Sequence, residues 1–117
     1  MDGVVGEMNI NDYADWTDQV WKGNPLEETT QRDIAIAALG LTGEAGEVVE
    51  YFKKHIRDGK VILGNEDLAL ELGDVLFYWA RLCRVAGFTP SEVIERNVEK
   101  LTQRYGTKRV LTLLGAT

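Results

Sequence analysis

The chain has 117 residues, 44% of them hydrophobic and 27% charged, which is typical of one globular domain. Its net charge of −6 argues against a nucleic-acid polymer or an anionic membrane as partner, because their binders usually present a basic surface. The sequence has neither a signal peptide nor an apolar run of the roughly 20 residues that span a bilayer. Its single cysteine, Cys83, predicts a buried, reduced thiol, so we expect a cytoplasmic protein.

The first two predicted helices cover residues 11–21 and 30–57. The first has apolar residues at helical spacing and ends at a turn-forming stretch, residues 22–25. The second opens with Thr30 and Asp33, which form a capping-box pattern.

Two further helices are predicted over residues 65–86 and 90–105, and the structure of the tail 107–117 is left open. The third helix is apolar around most of its circumference, so we expect it to be the most buried element. Proline at the first position of the fourth helix is a common start signal. Only residues 61–63 suggest a strand, so the predicted fold is all-α: a four-helix bundle in a single domain over residues 1–117.

Two acidic pairs lie inside the second and third helices: Glu44 with Glu47, and Glu71 with Asp74. The i, i+3 spacing places both carboxylates of a pair on one helix face. Carboxylates are rarely buried unless they are paired or bind a metal, and four facing one another repel strongly. The pattern therefore predicts a divalent metal site.

A structural alternative is that these acids form salt bridges with Arg81, Arg84 or lysines of neighbouring helices. It requires four cations at two partly buried pairs. Gly40, Gly43 and Gly46, beside the first pair, have two interpretations as well. They indicate close helix packing or a kink, or they leave room for a metal or phosphate near the backbone.

The stretches LGLTGEAGEVVE (39–50) and ELGDVLFY (71–78) resemble the MazG-like all-α nucleoside triphosphate pyrophosphohydrolases. This family includes dCTP pyrophosphatases and dimeric dUTPases, and the resemblance runs from about Tyr13 to Tyr105. It implies an enzyme that cleaves between the α- and β-phosphates of a nucleoside triphosphate and releases a monophosphate and pyrophosphate. A pyrimidine deoxynucleotide is favoured, because the compact chain resembles the small dCTP- and dUTP-directed members.

The resemblance implies that Glu44, Glu47, Glu71 and Asp74 are catalytic and hold Mg²⁺, with Mn²⁺ as a substitute, against the triphosphate. Mg²⁺ prefers carboxylate, water and phosphate oxygens, and bound metal lowers the pKa of an attacking water. Glu47 is one candidate to accept that water's proton, although the sequence does not choose among the four. Some relatives carry an additional glutamate where this chain has Gly43, so a mechanism that needs it does not transfer.

Six further residues are candidates for substrate contacts, in part by the same resemblance. Trp16 would pack on the base and Tyr78 would contact the nucleotide. Asn97 and Lys100 would reach the phosphates or sugar, and Lys53 and Lys54 the phosphates. Each also has an ordinary structural interpretation, as an aromatic residue of the core or a solvated charge on a helix.

The apolar third helix also favours a homodimer or homotetramer, because three partner helices hardly cover it. Relatives assemble in this way and build the site from both subunits. His55 is the only histidine and forms no E-x-x-H motif, which argues against a di-iron bundle. Three alternatives stay open: a phosphoribosyl-ATP pyrophosphohydrolase, a non-catalytic nucleotide- or metal-binding regulator, and a purely structural helical oligomer.

Overall fold

The computed structural model describes residues 6–106, which form four α-helices and one short 3-10 helix. The helices are α1 (Ile10–Val20), α2 (Gln31–Arg57), α3 (Glu66–Val85) and α4 (Pro90–Tyr105), with the 3-10 helix Leu26–Glu28 before α2. Residues 61–63 lie in the α2–α3 loop, and no strand is present between residues 6 and 106, so the all-α prediction is confirmed. The tail, residues 107–117, lies outside the described range. No helix in the described range is long and apolar enough to cross a membrane.

The helix starts follow the predicted capping chemistry. The Thr30 side chain accepts the backbone N–H of Asp33, and the Asp33 carboxylate accepts the backbone N–H of Thr30 at 3.0 Å. At α4, the Thr89 hydroxyl accepts the backbone N–H of Glu92, and Pro90 occupies the first helical position. These bonds satisfy backbone donors that have no partner inside the helix, which explains why the predicted starts agree closely with the structure.

Helices α2 and α3 form an antiparallel hairpin that is the most extensive helix pairing of the fold. Gly40 of α2 lies against Tyr78 of α3, and Glu44 lies beside Glu71 and Asp74 one turn further along. Helix α1 packs on α3, and α4 packs on α1 and α3. The hairpin therefore brings the two acidic pairs to one level of the fold.

Several of the buried side chains lie where α1 crosses the C-terminal half of α3. Ala14 and Thr17 of α1 meet this region, as do Ala80, Arg81 and Cys83 of α3. Cys83 is a buried free cysteine, as predicted, and burial raises the pKa of its thiol.

As expected, α3 has the largest share of buried and half-buried residues among the four helices, but its N-terminal half is not fully covered by the rest of residues 6–106. Leu70, Leu72 and Leu76 are 59%, 51% and 36% exposed, respectively. The reason is geometric: α1 and α4 cover the C-terminal half of α3, and α2 covers one side of its N-terminal half. Leu70, Leu72 and Leu76 thus leave apolar surface on the N-terminal half of α3 that the rest of residues 6–106 does not cover.

Candidate active site

Three of the four predicted metal ligands converge in the α2–α3 hairpin. Glu44, Glu71 and Asp74 each offer a carboxylate oxygen, and these oxygens all lie within 4.8 Å of one another. Glu71 and Asp74 are one turn apart on α3, and Glu44 reaches them from α2. Glu44 and Glu71 are half-buried and Asp74 is exposed, so the cluster is open to solvent on one side. Three convergent carboxylates match the hard oxygen donors that Mg²⁺ and Mn²⁺ prefer.

The charges of the cluster repel one another. The pKa of Glu44 is raised, first by partial burial and then by the negative charges of Asp74, Glu71 and Glu47. A divalent cation among these oxygens would remove that repulsion. The donor set and its electrostatics therefore both fit a metal ion.

The salt-bridge alternative is not supported between residues 6 and 106. Arg81 pairs with Asp18 of α1, and Arg84 pairs with Asp15 at 2.8 Å and also with Asp18. No described ion pair reaches any of the four motif acids. The arginines that were the candidate partners instead fasten α1 to α3.

Glu47 is the predicted ligand that does not join the converging three. Its side chain is exposed, and it lines a neighbouring cavity of about 260 Å³ together with Tyr51, Lys54 and His55. Tyr51 is buried, and its ring stacks on His55 at 3.8 Å between centroids. Its hydroxyl has no hydrogen-bond partner in the described part of the chain. Neither Tyr51 nor His55 was a candidate from the sequence. The cavity also has walls from α3, and the spacing of residues along α2 does not reveal these.

Gly40 allows Tyr78 to lie directly against α2. A Cβ atom at Gly40 would be 2.2 Å from the Tyr78 ring, so no side chain fits there. At Gly43 and Gly46, a Cβ atom would meet nothing within 4 Å in the described part of the chain. Close helix packing is therefore the role of Gly40, whereas the other two glycines leave open space beside Glu44.

Trp21, which was not a candidate from the sequence, lies beside Tyr78. The Trp21 ring lies 6.5 Å from Tyr78, edge-on, and 6.4 Å from Phe77. A cavity of about 410 Å³ opens here, within two turns of the acidic cluster. It is lined by Val20, Trp21, Lys22, Gly23, Ile36, Phe77 and Tyr78. Sequence reasoning missed Trp21 because it was assigned only as the end of α1.

Trp16 lies on α1 and is 41% exposed, and its ring packs against Tyr13 with 5.7 Å between the ring centroids and the planes tilted by 31°. The pKa of Tyr13 is raised, first by burial and then by the charge of Asp74. Tyr13 therefore lies near the acidic cluster, and Trp16 extends the same aromatic surface outward. The predicted contact of Trp16 with the base stays a prediction.

The remaining candidates are exposed. Lys53 points to the surface of α2, and Lys54 lines the 260 Å³ cavity. Asn97 and Lys100 lie on α4, and no hydrogen bond or ion pair described between residues 6 and 106 connects them to the acidic cluster. Their substrate contacts stay predictions.

Comparison with known proteins agrees with this geometry. The family model of the MazG nucleotide pyrophosphohydrolase domain matches residues 33–107, which include the four motif acids and Tyr78. Gene 37 protein of Mycobacterium phage L5 is 39% identical over 74 residues, which cover 61% of this chain and 65% of that protein, just under two thirds of it. No solved structure matches the chain. Because the family model covers more than half of its length, the chain belongs to the MazG nucleotide pyrophosphohydrolase domain family.

Proposed function

We propose that the chain is a Mg²⁺-dependent pyrophosphohydrolase that cleaves the α–β phosphoanhydride of a (deoxy)nucleoside triphosphate to give a monophosphate and pyrophosphate. Its family supports a nucleotide pyrophosphohydrolase activity in general. The observation that carries the proposal is the convergence of Glu44, Glu71 and Asp74, with oxygens within 4.8 Å and no described ion pair to neutralise them. Such a cluster is costly unless a cation occupies it.

Glu44, Glu71 and Asp74 would hold the metal, with Mn²⁺ as a substitute for Mg²⁺. When bound, the ion would neutralise phosphate charge and acidify a water. Glu47 lies one turn along α2 from Glu44, exposed and outside the converging set, and forms no described ion pair. We assign to Glu47 the acceptance of the proton from the attacking water, because its carboxylate is near the site and is not required as one of the three converging ligands.

The cavity beside Trp21 and Tyr78 would take the nucleobase. Its aromatic walls offer faces and edges on which a planar base stacks. Its volume of about 410 Å³ suits a single base and adjoining sugar, and we favour a pyrimidine deoxynucleotide. Tyr78 is one turn from Asp74, so a base held here leaves its phosphates at the acidic cluster.

The phosphates would extend towards the cavity that Glu47 and Lys54 line, with Lys53 nearby on α2. Lysine ammonium groups would offset charge on the β- and γ-phosphates. Asn97 and Lys100 of α4 would complete the contacts to phosphate or sugar, and Trp16 would add to the aromatic surface.

A second copy of the chain would cover the apolar side chains that the hairpin exposes. Val49 and Ile56 are 66% and 68% exposed and lie on one face of α2, and Leu70 of α3 is 59% exposed. We propose a homodimer or homotetramer that buries this surface and brings α4 of one copy towards the site of another. Sedimentation equilibrium of wild type and Ile56→Asp tests this, because the variant should dissociate at concentrations where wild type is assembled.

The function is tested with a panel of canonical nucleoside and deoxynucleoside triphosphates in Mg²⁺, with the products resolved by chromatography. Glu44→Gln and Glu71→Gln should lose turnover and Mg²⁺-dependent nucleotide binding together, whereas Glu47→Gln should lose turnover and keep binding. Glu28→Gln, an exposed glutamate of the 3-10 helix, is the matched control and should behave as wild type. Diphosphate plus phosphate as products would contradict α–β cleavage.

The same panel separates the alternatives. Turnover of phosphoribosyl-ATP in preference to all other nucleotides would assign the chain to that reaction. Metal-dependent nucleotide binding by wild type without any product would make it a regulator. No effect of Mg²⁺ on binding or stability would leave a structural oligomer. We propose that residues 1–117 work as one domain, in the cytoplasm, where a buried thiol such as that of Cys83 stays reduced.

A further inference from the structure

Trp21 is a wall of the proposed base cavity, but α1 does not hold its ring in place. It follows Val20, the last residue of α1, as the C-cap, and its backbone N–H donates to Thr17. Its indole Nε1 is buried and has no hydrogen-bond partner among residues 6–106. The ring position is therefore set by packing alone, and its neighbours decide the shape of the cavity.

One face of the Trp21 ring is held by a buried cation. The Arg81 guanidinium lies 4.8 Å from the ring centroid, and Arg81 is only 1% exposed. It is fixed in turn by Thr17, whose hydroxyl accepts from Arg81 at 3.1 Å, and by the carboxylate of Asp18. This contact prevents the ring from moving towards the second cavity, of about 280 Å³, that Trp21 and Arg81 both line.

The polar edge of the ring rests on Gly23. A Cβ atom at Gly23 would be 2.5 Å from Trp21 Nε1 and 2.2 Å from Asp33 Oδ1, so the glycine backbone fills the space between the indole and this carboxylate. Residues 21–25 have no helix of their own to hold them. The position of Gly23 therefore depends on what fastens this stretch to the rest of the protein.

Asp33 connects this stretch to α2. Although it is on the first turn of α2, its side chain is 3% exposed and accepts two hydrogen bonds from Asn24, one from the backbone N–H at 3.1 Å and one from the side-chain amide at 2.8 Å. The same carboxylate accepts the backbone N–H and the hydroxyl of Thr30, at 3.0 and 2.9 Å. One side chain thus caps α2 and ties the stretch behind Trp21 to it.

We propose that Asp33 is a positioning residue for substrate binding, which holds Gly23 and Asn24 against the edge of Trp21 and so fixes the wall of the base cavity. The assignment of that cavity rests on the proposed function. The contact chain from Asp33 through Gly23 to Trp21 does not, since it is a feature of the fold.

Two variants separate this role from helix capping. Asn24→Ala removes the hydrogen bond that the Asn24 side chain donates to Asp33 and leaves the cap of α2 intact. Thr30→Ala removes both hydrogen bonds of the Thr30 hydroxyl to Asp33, and with them the side-chain half of the capping box, and leaves both Asn24 bonds to Asp33. Asp33→Ala removes both Asn24 bonds and the two bonds that the carboxylate accepts from Thr30, and it keeps the bond from the backbone N–H of residue 33 to the Thr30 hydroxyl. The three variants therefore form a matched set in which stability and loop position change separately.

Two measurements compare these three variants with wild type, at a temperature where circular dichroism shows each variant folded. Steady-state kinetics should show KM raised about five- to tenfold in Asp33→Ala and Asn24→Ala with kcat within about twofold, since a misplaced wall weakens ground-state and transition-state binding alike. Thr30→Ala should keep both constants. The Trp21 indole N–H resonance, assigned with Trp21→Phe, should shift in the first two variants and stay in place in Thr30→Ala.

An increase in KM in Thr30→Ala equal to that in Asp33→Ala would overturn the proposal, because capping alone would then explain the effect. An unchanged Trp21 resonance in Asn24→Ala and Asp33→Ala would overturn it as well. If wild type turns over no nucleotide, the proposed function fails, and the indole resonances still decide whether Asp33 positions Trp21.

Discussion

The close packing of the Tyr78 ring against Gly40 can be tested by adding one methyl group at Gly40 and measuring the change in the free energy of unfolding. A Cβ atom at Gly40 would lie 2.2 to 2.6 Å from three ring carbons of Tyr78, which is far inside van der Waals contact. Overpacking of this kind costs about 1 to 3 kcal/mol. Replacing a helix-interior glycine by alanine returns about 1 kcal/mol through helix propensity. Gly40→Ala should therefore change the free energy of unfolding by between zero and about −2 kcal/mol.

The same substitution at Gly43 and Gly46 provides the control. All three glycines are inside α2, and a Cβ atom at Gly43 or Gly46 meets nothing within 4 Å in the described chain. These two variants should gain up to about 1 kcal/mol, since only the propensity term remains. Subtracting them from Gly40→Ala cancels that term and leaves the Tyr78 contact, about 1 to 3 kcal/mol.

The assay is urea unfolding followed by circular dichroism, at one protein concentration for all variants. Repeating Gly40→Ala in a Tyr78→Ala background completes a double-mutant cycle, in which the penalty at Gly40 should disappear. The reasoning is refuted if Gly40→Ala is as stable as Gly43→Ala and Gly46→Ala. It is also refuted if the penalty persists when the tyrosine ring is absent.

Three other predictions follow from the charged groups. In EDTA, Glu71→Gln should raise Tm by relieving repulsion with Glu44 and Asp74. Mg²⁺ should raise the Tm of wild type and leave that of Glu71→Gln unchanged, and a metal-free Tm of the variant below that of wild type would contradict this. Hydrogen bonds from Thr30 and Asn24 hold the pKa of Asp33 well below its usual range, so ionised Asp33 adds stability above the unfolded-state pKa of about 3.9 and loses it as pH falls. The stability difference between wild type and Asp33→Asn should accordingly be constant from pH 7 to about pH 5 and shrink below about pH 4 in urea titrations. Asp18→Ala leaves the buried Arg81 with Thr17 as its one hydrogen-bond partner among residues 6–106 and should cost about 2 to 3 kcal/mol. Asp12→Ala, at an exposed position earlier on α1, is the comparison, and equal losses would refute the role of the pair.

Local sequence patterns determined the helices of this protein. Thr30 with Asp33, and Thr89 with Pro90, marked helix starts that the structure confirms, because a cap involves side-chain and backbone groups only three residues apart. The i, i+3 acidic pairs were equally local, and helical geometry alone placed each pair on one face. Pattern and spacing were sufficient for these features since no contact with a distant residue enters them.

Only the tertiary structure decided which of these groups meet. It brought Glu44 to Glu71 and Asp74 but left Glu47 outside, and it put Trp21, which was not a candidate from the sequence, beside Tyr78. These outcomes depend on how far α2 and α3 are rotated and shifted against each other, and on where the chain leaves α1. Rotation and shift are set by contacts between residues far apart in sequence, such as the Tyr78 ring against Gly40, and no helical periodicity encodes them.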